Sequence, residues 1–170
     1  MHFSTLLATT TLACLAGLSM GRYISQADLH CPSGIHGSFN FNDNHKGYAA
    51  VTVSFAGLTE GEQYNYFINE NKVPENGDCS KTGMMYDPDD IYANPTAYKC
   101  TNDGSNKCAI GDLTGRGGVL VGAAKGQNST LEWRDKRVRL RGSHDITGHS
   151  IVLFDQQERM ILCGNIYKIS

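Results

Sequence analysis

The side chains best suited to holding a metal or carrying redox chemistry here are six histidines and six cysteines in 170 residues, so their spacing comes first. Neutral imidazole suits copper and zinc. Yet His30, His36, His45, His144 and His149 show no His-x-His or His-x3-His pairing, the spacing that aims two rings at one ion. His144 and His149 bracket a turn-like stretch at 145–148 and are expected at the surface. Met84 and Met85, with Met160 further on, are thioethers, soft donors that favour Cu(I). Methionine also fills irregular apolar space, and that use is the expected one here. Arg134, Lys136, Arg137, Arg139 and Arg141 place five positive charges in eight residues. Such a stripe could dock a polyanion, or simply keep a strand soluble and discourage edge pairing.

The elements that must position these residues begin after a leader. Residues 1–21, with His2 and Cys14, contain no lysine, arginine or acid, and their apolar run around 6–18 is shorter than the about 20 residues a bilayer needs. They read as a signal peptide ending at the small-x-small site Ser19-Met20-Gly21. Residues 22–170 then form one domain, since no composition shift or linker divides them. No hydrophobic tail follows a polar spacer at the end, so no membrane anchor is expected and the product should be secreted and extracellular. A net charge of −2 gives no global pull toward nucleic acid.

Loss of Cys14 leaves Cys31, Cys79, Cys100, Cys108 and Cys163, an odd number, so at least one stands outside any intramolecular disulfide. Asn128-Ser129-Thr130 is a glycosylation sequon in what reads as an exposed loop. Apolar alternation at Val51, Val53 and Phe55, and at Val138 and Leu140 between arginines, predicts strand faces. In the second case Arg137, Arg139 and Arg141 share the outer face. Further short runs at 37–41, 64–68, 119–124, 150–154 and 161–167, separated by glycine-rich turns, bring the expectation to seven or eight strands in an all-β sandwich or barrel. Residues 69–108 form a long unpatterned loop carrying Cys79, Cys100 and Cys108, which is expected to be cross-linked.

Four stretches give this pattern a relative. They are Tyr66-Phe67-Ile68-Asn69 with Val73-Pro74; Asn76-Gly77-Asp78-Cys79 through Met84-Met85-Tyr86-Asp87-Pro88; Cys108-Ala109-Ile110-Gly111-Asp112-Leu113-Thr114-Gly115; and Ser150-Ile151-Val152-Leu153-Phe154 with Cys163-Gly164-Asn165-Ile166. In this order the chain resembles the fungal secreted copper-only superoxide dismutases. The resemblance implies an eight-stranded Greek-key β-barrel with a long disulfide-tethered loop, Cys79 joined to Cys163 and Cys100 to Cys108. It also implies copper cycling between two oxidation states on histidine ligands. Those ligand positions fall on Phe67, Asn69, Met85 and Phe154, none of them histidine. The family's guiding arginine falls on Met160, one residue from Arg159, while Asp112 stands where a family aspartate orients the ligand geometry.

The expectation is therefore a secreted pseudoenzyme without copper or any other cofactor. It would bind an extracellular partner, a host protein or a polyanion being the candidates, with Tyr64, Tyr66, Tyr86, Tyr92 and Tyr98 near a former site that is apolar and closed. Two alternatives remain open: an extracellular Cu(I)-binding or shuttling protein using Met84 and Met85, and a surviving dismutase with an unconventional metal site.

Overall fold

A computed structural model describes residues 23–31, 34–43, 47–100 and 107–169. Residues 1–21, with Cys14, and His45 lie outside the described residues. Eight strands form one sheet: β1 (Tyr23–His30), β2 (His36–Asp43), β3 (Ala49–Ala56), β4 (Gln63–Asn69), β5 (Leu120–Val121), β6 (Ser129–Asp135), β7 (Ser150–Phe154) and β8 (Met160–Lys168). Their order is β5-β4-β7-β8-β1-β2-β3-β6, and every pairing is antiparallel. The sheet curls into a nearly closed barrel whose end strands β5 and β6 touch. A short helix, α1 (Leu113–Gly117), and a 3-10 turn at Cys79–Lys81 complete the fold.

Alternation decides which side chains go inside. Phe39 and Phe41 of β2, Val51, Val53 and Phe55 of β3, and Tyr64, Tyr66 and Ile68 of β4 are all buried, with solvent-facing neighbours between them. Phe39 sits at the centre, its ring 5.6 Å from Phe55 and 5.2 Å from Tyr66. Each such side chain contributes about 1.5–3 kcal/mol on burial, so the barrel interior holds most of the fold's stability. Gly37 is required beside it, because a Cβ there would lie 2.4 Å from the Phe55 ring.

Several expectations change. Residues 136–142 do not form a ladder strand: Val138 and Leu140 are buried as the alternation implies, but only an isolated bridge from Arg139 to Asp145 pairs the backbone. Alternation reports burial on every second residue, and an irregular segment laid over the core produces the same pattern. Arg137, Arg139 and Arg141 therefore share no strand face. The run at 119–124 contributes only the two-residue β5, whereas β1 and β6 arise where no apolar run stood out. Asn128 is exposed, but Ser129 and Thr130 open β6 instead of lying in a loop.

Candidate functional site

The long loop reaches β4 through its backbone. Asn69 forms an isolated bridge with Met85, Glu70 N donates to Met84 O at 3.0 Å, and Asn71 N donates to Thr82 O at 2.8 Å. One step along, Tyr86 N donates to Ile68 O, Ile68 N to Gly111 O, and Gly111 N back to Tyr86 O, at 2.7–2.9 Å, so three chain segments share one set of bonds. Glycine is needed at 111, since a Cβ would meet Ile68 O at 2.5 Å and Met85 Cγ at 2.6 Å. From outside, the loop is pinned by the Cys79–Cys163 disulfide and by Asn165, whose side chain accepts from Val73 N at 2.7 Å. Cys100–Cys108 closes the second, short link, and half-buried Cys31 stands outside both.

Between loop and barrel lies an open cavity of about 430 Å³. Phe67, Met84, Met85, Tyr92 and Tyr98 supply most of its wall, and Asp112 and Thr114 its floor. This corrects the closed apolar site expected from the sequence. Phe67 and Phe154 pack edge to face at 5.5 Å on the outer side of β4 and β7, leaving space beside them instead of filling it. Met84 stands 69% exposed at the rim and fills nothing, while Met85 is half-buried. Asn69 is buried, and its amide nitrogen donates to Thr82 Oγ1 and Gly83 O, both at 3.0 Å. Tyr92 and Tyr98 meet edge to face at 4.9 Å. Tyr64 and Tyr66 face the core and Tyr86 lies under His149, so only Tyr92 and Tyr98 of the tyrosine set reach the cavity.

The floor is polar and fully engaged. Asp112 caps α1: Oδ1 accepts from Gly115 N at 2.7 Å, and Oδ2 accepts from the Tyr98 hydroxyl at 2.8 Å. Burial first, and then the bond to Asp112, push the Tyr98 phenol well above its ordinary value, so it is a fixed donor at any physiological pH. Thr114 Oγ1 accepts from Tyr66 N and donates to Tyr66 O, tying α1 to β4. On the other side of α1, Arg116 donates from Nε to Asp135 Oδ2 at 2.8 Å, from Nη2 to Ile110 O at 2.7 Å, and from Nη1 to Ala109 O. The role found for Asp112 is thus to hold the helix and the tyrosine.

Other candidates separate. A register shift does lie between Leu153 and Phe154 and sets Met160 opposite Phe154, but Arg159 is bound to Asp155, with Nε to Oδ2 at 2.7 Å. Met160 lies outside the cavity wall. His144 stands 3.8 Å from Asp89, while His149 donates through Nδ1 to Glu70 O at 2.7 Å and stacks on Tyr86 at 4.0 Å, so the two share no site. Along the basic stripe, Arg134 lies over Tyr48, Arg141 over Tyr23, Arg137 pairs with Asp89, and Arg139 donates to Lys136 O at 2.6 Å. Among the described residues, no three His, Cys, Asp or Glu side chains gather to hold a metal ion. The sequence reading missed the register that sets His30 directly opposite His36.

Comparison with known proteins follows the geometry. The model for copper/zinc superoxide dismutase (SODC) matches residues 35–165. Cell surface superoxide dismutase [Cu-Zn] 4 of Candida albicans is 29% identical over 137 residues, 79% of this chain and 54% of that protein. Cell surface superoxide dismutase [Cu-Zn] 6 of the same organism is 28% identical over 138 residues, 78% of this chain and 40% of that one. The chain thus spans about half the length, or less, of these relatives. Solved structures of Candida albicans superoxide dismutase 5 share the fold. A mutant form superposes with a TM-score of 0.73 at 24% identity, covering 89% of this chain and 92% of that one; the Cu(II) form gives 0.69 at 24%, covering 88% and 94%.

Proposed function

The chain belongs to the copper/zinc superoxide dismutase family, and we propose that it is a secreted, non-catalytic member that works by binding an extracellular partner. One observation carries this reading: the donor set at Phe67, Asn69, Met85 and Phe154 does not fit copper. Two phenyl rings offer no lone pair, and a buried amide offers a hard oxygen that copper disfavours. That leaves one thioether, Met85, so no redox step is assigned to this site. The open cavity beside these residues, walled by methionine and aromatic rings over a polar floor, supports binding instead, because its size and apolar lining suit an inserted aromatic or aliphatic group. Extracellular placement is supported by the cell-surface names of both relatives and by the leader-like residues 1–21.

The test is to secrete the chain, expose it to copper under oxidising and under reducing conditions, and measure bound metal and superoxide removal. The expected result is no dismutation and no copper lost on replacing Met85. Superoxide removal that tracks copper content would overturn the proposal. Tight Cu(I) binding without activity, abolished by Met84→Leu with Met85→Leu, would move the assignment to copper shuttling, a reading favoured only by the presence of both sulfurs on the cavity wall.

A further inference from the structure

The β1–β2 hairpin sets two histidines on one rung. His30 is the register partner of His36, and both are exposed on the outer face, opposite buried Leu29 and Phe39. Cys31 N donates to Ile35 O at 3.0 Å, which makes that pair a hydrogen-bonded rung. Antiparallel rungs alternate, so His30 and His36 form the non-hydrogen-bonded kind, whose Cα atoms lie only about 4.5 Å apart and whose side chains approach most closely.

The tautomer of one ring is also set. His36 Nδ1 lies 3.0 Å from Gly34 O, and a carbonyl can only accept, so Nδ1 carries the proton and in the neutral ring Nε2 keeps its lone pair for a ligand. A carbonyl holding the distal N–H of a ligating histidine is the usual outer partner of a metal-bound imidazole. One rung further on the same face, Asp28 adds negative charge, although its carboxylate already accepts from Gln26 and from the Tyr167 hydroxyl. Cys31 points the other way and packs against the core.

We propose that His30 and His36 form a surface site for a borderline divalent transition-metal ion of the zinc class, with water completing the shell. Two neutral nitrogens suit zinc, nickel and copper(II) and disfavour calcium and magnesium, which take oxygen. The site stands apart from Phe67, Asn69, Met85 and Phe154, and owes nothing to whether those positions once held copper.

The experiment titrates zinc into the full chain, made without a histidine tag, by calorimetry, and follows the histidine ring resonances by NMR. One ion per chain should bind in the micromolar range and shift the rings of His30 and His36. His30→Ala and His36→Ala should each weaken binding by at least the about 10–100-fold that loss of an outer-shell partner costs. His144→Ala and Met85→Leu should leave it unchanged, and zinc should raise the melting temperature of the parent chain but not of the double variant. No binding at millimolar zinc, or one-to-one binding that survives the double substitution, overturns the proposal. Because copper(II) would also occupy this pair, the copper test above is repeated on the double variant, where any remaining copper reports on Phe67, Asn69, Met85 and Phe154 alone.

Discussion

Beneath α1 every charged atom has a partner, whereas on the face of Phe67 and Phe154 few polar atoms take part at all. The Arg116 guanidinium is divided among Asp135 and two carbonyls, and Asp135 also accepts from Trp133 Nε1 and from the backbone of Arg137 and Val138. On the outer side of β4, by contrast, the Phe67 and Phe154 rings pack edge to face, and Phe67, Met84 and Met85 line a cavity that stays open. The contrast shows where this barrel can change. A buried ion network fails as a unit when one member goes, but an apolar surface tolerates exchange of one shape for another.

The largest expected effect tests the network. Arg116→Met should cost about 3–5 kcal/mol in urea unfolding, because it strands the Asp135 carboxylate in the interior. A loss under about 1 kcal/mol would mean that the backbone donors alone satisfy Asp135. Next come the cross-links that hold the loop side of the cavity. Replacing Cys79 and Cys163 by alanine opens a closure of 84 residues and should cost roughly 2 kcal/mol more than replacing Cys100 and Cys108, separated by 8. On the apolar side, Phe67→Ala should cost only about 1–2 kcal/mol, since that ring is only partly buried. If it cost as much as Arg116→Met, the two regions would be equally structural and the contrast would fail. Met84→Leu should stay within about 0.5 kcal/mol, as befits a rim residue.

The smallest effect is a pH dependence. The Ser80 hydroxyl holds the Asp78 carboxyl below its ordinary value, and the Arg159 backbone N–H does the same for Asp155. Both folded values are lowered, so their contribution is present above the usual aspartate range of about 3.9 and is lost as pH falls through the folded values. Denaturation midpoints should therefore fall only below about pH 4, and Ser80→Ala should shrink that fall.

Much of this was legible in the sequence. The all-β class, sandwich or barrel, followed from alternation such as that at Val51, Val53 and Phe55, and the barrel itself and both disulfides followed from the resemblance. β1 escaped because its inward residues begin with Ser25 and Ala27, too small and polar to mark a core face. β6 escaped because its sequence reads as a sequon followed by charges. At the site, Phe67, Met85 and Asp112 line one cavity, but its opening was not legible, since Tyr92, Tyr98 and Met84 belong to the long loop, whose contacts no periodicity encodes. The His30–His36 rung was hidden for a similar reason: six positions separate them, and only the strand register makes them neighbours.

The pairing of β1 with β8 has a mechanical consequence. Ser25 lies across from Lys168 and Ile169 N donates to Ile24 O, so the chain on either side of the barrel leaves it at adjacent points. Tension on those two points would load the three rungs from Ser25 to Ala27 one after another, as a zipper opens, instead of shearing them together. Peeling of β8 would then stall at Cys163, where the covalent link to Cys79 passes the load into the loop that walls the cavity. Pulling at these two points would thus part β8 from β1 first and load the cavity wall next.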